Sequence, residues 1–177
     1  TLGEDWDNYW GPLKKMIKNE SDIDLSSICS YLDIFYFREK EQTFLREKVL
    51  KSSAGIPFIV DQINLTQHII EDVIKPKVII VKNKESAAYW GRLENEGIIW
   101  MGYKFEYMKT LVCGELFKIT GLIESSERIA PEIKISNIEN SLVLFTQHIN
   151  QYTAKEKRPT PEILKTLLDF YNAAKEL

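Results

Sequence analysis

Two short, predominantly apolar runs constrain what this chain can fold into. Val78–Val81 reads VIIV, and Leu142–Thr146 reads LVLFT. Successive residues of a strand point to opposite faces of a sheet, so an unbroken apolar run predicts a strand that is covered on both faces. We therefore expect both runs to be interior, parallel strands.

Amphipathic helices are predicted around these strands. From Phe58 to Lys75 the apolar residues recur at helical spacing, and Pro76 predicts the end of that helix. A further helix is predicted to begin at Pro161, with Thr160 as its N-cap. Because helices alternate with strands, we expect an α/β fold with three α/β/α layers and a mainly parallel central sheet. Residues 1–177 are expected to form one domain.

Three more strands are predicted from β-branched and aromatic residues. They are Ile28–Phe37, Ile98–Tyr103 and Thr110–Ile123, the last of them broken at Gly114. The first contains a carboxylate, Asp33, among apolar residues. An unpaired carboxylate is costly to bury, so Asp33 either reads a ligand or holds a water at a polar cleft, or pairs with a neighbouring lysine or arginine.

Composition excludes several classes of protein. The 177 residues are 44% hydrophobic and 28% charged, which is typical of a folded globular chain. No apolar run approaches the roughly 18–20 residues of a membrane span. The net charge of −3 excludes a polybasic nucleic-acid binder, although one basic face can still bind nucleic acid. Cys29 and Cys113 stand far apart, which predicts two reduced thiols in a cytoplasmic protein and no cysteine-rich zinc site.

The carboxyl ends of the predicted strands are where a ligand is expected, because open α/β sheets bind ligands there. His148 follows the Leu142–Thr146 strand and could donate a hydrogen bond or move a proton, or be a loop histidine without a role. His68 lies within the predicted helix, where a structural or solvent-facing role is expected. We expect His148 and Asp33 to face one cleft.

Basic residues also gather near these strand ends. Lys82 and Lys84 follow one strand, and Lys155 and Arg158 come shortly after His148. They are candidate contacts for phosphate groups, and the alternative is that they are solvated surface charges. The sequence contains none of the common dinucleotide, P-loop, serine-hydrolase or zinc-protease motifs.

The order of these segments resembles the uracil-DNA glycosylase superfamily. Ile56–Trp90 resembles the family's helix that runs into Pro-Lys-Val-Ile, a strand, a loop and a helix of small residues. Tyr31–Ile34 stands where the family has a strand ending in a base-reading Asn. Leu144–His148 resembles the strand that leads into the family's His-Pro-Ser loop. The resemblance covers roughly Cys29 to Gln151.

The resemblance implies a function and roles for the candidate residues. It implies a domain that binds DNA, in preference to RNA, or a free nucleobase, and that hydrolyses an N-glycosidic bond. In the family the histidine stabilises the departing uracil anion and the loop grips DNA, which assigns these roles to His148 and Asn150. Asp33 would contact the base or hold a water, and the basic residues would contact phosphates. No metal or cofactor is implied.

The sequence also departs from the family. Asp33 stands in place of the base-reading Asn, and Ile149-Asn150 stands in place of Pro-Ser. The family's Gly-rich loop, which positions the attacking water in active members, does not occur in this sequence. Either that loop lies upstream of Thr1 in a longer protein, or the chain is a non-catalytic interaction module with the same fold.

Overall fold

A computed structural model describes residues 30–36, 42–97, 99–147 and 153–173. In chain order the helices and strands are α1 (Gln42–Phe44, continued by the π-helix Leu45–Val49), α2 (Gly55–His68, continued by the π-helix Ile69–Ile74), β1 (Val78–Val81), α3 (Ala87–Trp90), β2 (Tyr103–Leu111), β3 (Gly114–Leu122), β4 (Leu142–Thr146) and α4 (Pro161–Ala173). Short 3₁₀ turns lie at Lys84–Ser86, Glu94–Glu96 and Lys155–Lys157.

The four strands form one mixed sheet in the order β1-β4-β3-β2. β1 and β4 are parallel, with Val78 beside Leu142 and Val81 beside Phe145. β3 is antiparallel to both β4 and β2. The protein is therefore α/β, but the sheet of the described residues is mixed and not mainly parallel as expected. One antiparallel pairing is the hairpin of β2 and β3, which the sequence patterns did not reveal, and the other joins β3 to β4.

The two apolar runs are both strands, and they pair with each other. All five residues of β4 are buried, and β4 has a neighbour on each side, so its predicted interior position is confirmed. The interior position predicted for β1 is wrong, because β1 is an edge strand of the sheet formed by the described residues. The sequence of β1 is apolar because both faces of the strand pack against hydrophobic residues. Ile79 packs in one hydrophobic cluster, and Val78 and Ile80 pack in the other.

A helix lies against each face of the sheet. Ile59 and Ile63 of α2 pack in the cluster that contains Phe145. Leu164 and Leu167 of α4 pack in the cluster on the opposite face. The predicted helix ends are also found: α2 ends before Lys75, which is left-handed with φ 47°, and α4 begins at Pro161.

Two of the predicted strands have different bounds in the structure, where they form a hairpin. β2 and β3 replace the expected Ile98–Tyr103 and Thr110–Ile123 strands, and a tight turn at Val112-Cys113 joins them. Gly114 begins β3 and does not break a strand. A Cβ on Gly114 would collide with the carbonyl oxygen of Phe145, so glycine is needed here for β3 to approach β4 closely.

Residues 30–36 correct a third prediction. The described part of the expected Ile28–Phe37 strand is irregular, with a bend at residues 34–36. Its backbone bonds to side chains of α2: the hydroxyl of Thr66 donates to the carbonyl oxygen of Ile34 at 2.9 Å, and the N–H of Tyr36 donates to Gln62 Oε1 at 2.9 Å. These side-chain bonds satisfy a backbone carbonyl and a backbone N–H that would pair with a neighbouring strand if the segment were part of a sheet.

Candidate functional site

The carboxyl ends of β1 and β4 lie side by side at the edge of the sheet where both strands end. The buried hydroxyl of Thr146 lies 3.2 Å from the carbonyl oxygen of Val81 and 2.9 Å from that of Gln147. It can donate to either oxygen, and in both cases it holds the end of β4 beside the end of β1. The first residues after the two strands, Lys82 and Gln147, therefore emerge at the same edge, where parallel sheets bind ligands.

Lys82 is half-buried at this edge. Burial lowers the pKa of its ammonium group, because the charged form loses part of its hydration. A cation that is already partly dehydrated needs less further dehydration to bind an anion. The environment of Lys82 thus supports its predicted role as a phosphate contact.

Asp33 is exposed, and it lies on the irregular segment 30–36 and not inside a strand. This segment is attached to α2 through Ile34, and to α3 through Phe35, whose ring meets that of Tyr89 edge-on with centroids 5.1 Å apart. Exposure provides the polar setting that a carboxylate among apolar residues requires. The segment thus presents Asp33 from the two helices that precede and follow β1.

The structure describes the other predicted site residues to different extents. Lys84 and Lys155 each begin a 3₁₀ turn. Arg158 is half-buried, and its Nε donates to the carbonyl oxygen of Thr153 at 2.7 Å. His148 and Asn150 lie outside the described residues, so the shared cleft of His148 and Asp33 stays a prediction.

Sequence reasoning missed a basic residue near this edge. Arg92 follows α3, and its guanidinium carbon lies 4.0 Å from the ring centroid of Phe117 and 5.3 Å from that of Phe145. Its Nη1 donates to Glu115 Oε2 at 3.1 Å. Alternation along β3 places Glu115 and Phe117 on one face, but this signal is usable only once the hairpin is recognised.

A second polar cluster lies toward the amino end of β4. The carboxylate of Glu71 is fully buried; its Oε1 accepts hydrogen bonds from the hydroxyls of Tyr103 at 2.9 Å and Ser136 at 2.7 Å. Its Oε2 accepts from the backbone N–H of Asn137 at 2.6 Å. Burial, and then the charge of Glu71, hold the pKa of Tyr103 well above its usual range. This cluster ties α2 to the connection between β3 and β4, which is a structural role.

His68, for which a structural or solvent-facing role was predicted, lies partly exposed on α2. Its Nδ1 lies 2.9 Å from Asp72 Oδ2, and its Nε2 lies 2.9 Å from Glu132 Oε1. The hydrogen bonds with Asp72 and then Glu132 raise the pKa of the imidazole. His68 therefore links α2 to the same β3–β4 connection on the surface.

No family model, curated protein or solved structure matches this chain. Within the ranges that the structure describes, no helix is long and apolar enough to cross a bilayer.

Proposed function

We propose that this chain is a cytoplasmic, uracil-DNA-glycosylase-like domain that binds a nucleobase or nucleic acid and hydrolyses an N-glycosidic bond. The observation that carries the proposal is the parallel pairing of β1 with β4, which brings Lys82 and Gln147 to one edge. These are the strands that resemble the family's strands, and His148 follows Gln147 directly in the sequence.

The architecture supports the proposal in part. A helix against each face and the parallel pairing of β1 with β4 are compatible with the family's three-layer arrangement. The hairpin of β2 and β3 would then be an antiparallel addition on the far side of β4. In this arrangement the crevice at the carboxyl ends of β1 and β4 receives the ligand.

The proposed reaction breaks the bond between the sugar C1′ and the base nitrogen. The target base leaves the stack and enters the crevice. His148 donates a hydrogen bond to the oxygen of the departing base and stabilises its negative charge. Asp33 contacts the base or holds the attacking water. The water oxygen bonds to C1′ and keeps one proton as the new hydroxyl group, and the other proton goes to the base nitrogen.

Phosphate contacts would come from the predicted basic edge. The candidates are Lys82, Lys84, Asn150, Lys155 and Arg158. With three or four contacts on duplex DNA, the slope of log affinity against log salt is roughly −0.9 per contact, so affinity should fall by about one to two orders of magnitude between 50 and 200 mM salt. Binding that does not respond to salt would contradict this assignment.

A panel of oligonucleotides that carry modified bases tests the proposal, with abasic-site formation as the readout. We expect cleavage of at least one substrate, with a strong loss of activity in His148→Ala and Asp33→Ala. His68→Ala is the matched control, because His68 is the other histidine of the chain and is already paired with Asp72 and Glu132. Equal activity of His148→Ala and wild type would refute the assigned role.

The non-catalytic interaction module is the second candidate. It is favoured by the sequence, in which the Gly-rich water-positioning loop does not occur and Asp33 replaces the base-reading Asn. In the same experiment it predicts salt-sensitive binding of the oligonucleotides without abasic sites. The two readouts, binding and cleavage, therefore separate the two functions.

A further inference from the structure

Arg92 lies on the far side of β4 from Lys82. Val81 is beside Phe145 on one side, and Glu115 is beside Phe145 on the other, so these three residues form a row across the sheet. Strands are about 4.8 Å apart, so the ends of this row are separated by roughly 10 Å. Arg92, bound to Glu115, and Lys82, which follows Val81, therefore flank the carboxyl end of β4.

The surroundings of Arg92 fix its guanidinium in one orientation. One contact is the ring of Phe117, whose centroid is 4.0 Å from the guanidinium carbon, and Glu115 holds Nη1. Cation–π contact and an ion pair together restrict a side chain that is otherwise flexible. An arginine that is already ordered loses less entropy when it binds a further group.

The guanidinium also remains within reach of solvent. The side chain of Arg92 is 24% exposed, and its partner Glu115 is 33% exposed. Glu115 engages one of the guanidinium nitrogens, and an arginine has five N–H donors in a planar fork. The fork matches the oxygens of a phosphate group, which accept charge-assisted hydrogen bonds.

We propose that Arg92 is a phosphate-binding residue of the same nucleic-acid site, positioned by Glu115 and by the ring of Phe117. Its ligand is a backbone phosphate of a nucleic-acid strand that crosses the end of β4 between Lys82 and Arg92. This inference rests on the proposed function. The competing explanation is that Arg92 only packs α3 against β3.

The same hairpin provides a matched control. Lys118 of β3 forms an ion pair with Glu106 at 2.7 Å, and its side chain is 27% exposed, which is close to the value for Arg92. Lys118 lies beside Leu142, at the amino end of β4. Lys118→Met therefore removes a similarly exposed, ion-paired charge at the amino end of β4, away from the proposed phosphate contact.

The experiment compares wild type, Arg92→Met and Lys118→Met by fluorescence anisotropy with a duplex oligonucleotide between 50 and 200 mM salt. Loss of one phosphate contact should reduce the salt slope of Arg92→Met by about 0.9, so the loss of affinity over this range becomes about 3.5-fold smaller. Lys118→Met should keep the wild-type slope. Arg92→Lys, which keeps the charge, should recover most of the slope.

Thermal melting of each variant shows whether it is folded. If Arg92→Met does not fold, Arg92→Gln replaces it, because Gln keeps an N–H donor for Glu115 and lacks the charge. If a folded Arg92 variant keeps the wild-type salt slope, the inference is overturned. It is also overturned if Lys118→Met loses as much salt slope as Arg92→Met, because that would indicate a general charge effect.

The experiment also separates the inference from the proposed function. If wild type binds no nucleic acid, both fail. If wild type binds and Arg92 does not contribute, only the inference about Arg92 fails.

Discussion

Replacing Glu71 by Ala should destabilise this protein more than any other change of a single carboxylate in the described residues. Its two oxygens accept three hydrogen bonds, from Tyr103, Ser136 and the backbone of Asn137, and its side chain is fully buried. The variant leaves three donors without this acceptor, two of them buried hydroxyls, and also creates a cavity. All three donors lie outside α2, so the loss acts on the contact between α2 and the rest of the fold.

The magnitude follows from the kind of bond that is lost. A hydrogen bond to a charged group contributes about 1.5–3 kcal/mol, and the three bonds share one acceptor group, so their contributions do not simply add. Breaking a buried charged network by removing one member costs about 3–5 kcal/mol. We expect Glu71→Ala to lose about 4 kcal/mol of unfolding free energy, which for a chain of this size lowers the Tm by roughly 8–16 °C.

Glu71→Gln should cost much less, about 1–2 kcal/mol, because the amide can reproduce the pattern. Its oxygen can accept from the N–H of Asn137, and its NH₂ can donate to the hydroxyl oxygens of Tyr103 and Ser136. Urea unfolding followed by tryptophan fluorescence measures both variants. Glu132→Ala is the control, since that carboxylate is 56% exposed and should change the unfolding free energy by less than about 1 kcal/mol.

Two results would refute this reasoning. Glu71→Ala within about 1 kcal/mol of wild type would show that the three bonds contribute little net stability. Glu71→Gln as unstable as Glu71→Ala would show that the negative charge itself, and not the hydrogen-bond pattern, is required. Amide exchange at Asn137 separates the two, because its protection depends on the bond to residue 71.

Three further outcomes are expected. The pKa of His68 is raised in the folded protein, so its contribution to folding stability is full below the unfolded pKa of about 6.5 and is lost as pH rises through the folded pKa. His68→Gln should therefore make the urea unfolding midpoint depend less on pH. The effect should stay below about 1 kcal/mol, because the pair with Asp72 is exposed. Gly114→Ala should lower the Tm by about 4–12 °C, since the collision with the Phe145 carbonyl pushes β3 from β4 at a cost of about 2–3 kcal/mol, and circular dichroism melting measures this. Lys82→Met should reduce the salt slope of nucleic-acid binding by about 0.9 while the variant stays folded, and an unchanged slope would exclude a phosphate contact there.

Apolar patterning was sufficient to locate the elements that build the core. The helical spacing of Ile59 and Ile63 and the unbroken run of β4 both report cover by other parts of the protein, and both elements are found where expected. The same signal could not give the number of neighbours of β1, because a strand covered by helices on its faces is apolar whether or not a second strand lies beside it.

The hairpin and residues 30–36 were mispredicted for different reasons. At Gly114 the sequence shows only the missing side chain, whereas the close approach of Phe145 that requires it is a tertiary contact. In residues 30–36 the aromatic composition indicated a strand, but Thr66 and Gln62 of α2 provide the bonding partners instead. Tertiary context overrides β-propensity in this way because the propensity mainly reflects packing.

At the candidate site, the strand-end rule located Lys82 but not Arg92. Lys82 directly follows an apolar strand, so its place at the edge can be read from the sequence. Arg92 is positioned by contacts with Glu115 and the ring of Phe117, which lie more than 20 positions further along the chain and come together only once the hairpin has formed. Local patterns carry no information about such a contact.

The pairing of β1 with β4 has a consequence for the order in which the chain folds. Val81 and Thr146, which meet at the proposed site, are 65 positions apart, whereas β2 and β3 are joined by a two-residue turn. Closing a long loop costs more entropy than closing a short one, and the early hairpin shortens the effective loop that β1 and β4 must close. The strand ends that would receive a ligand are thus expected to meet late in folding. A chain that ends after Leu122 can form the hairpin, but it lacks β4 and therefore cannot form the proposed binding site.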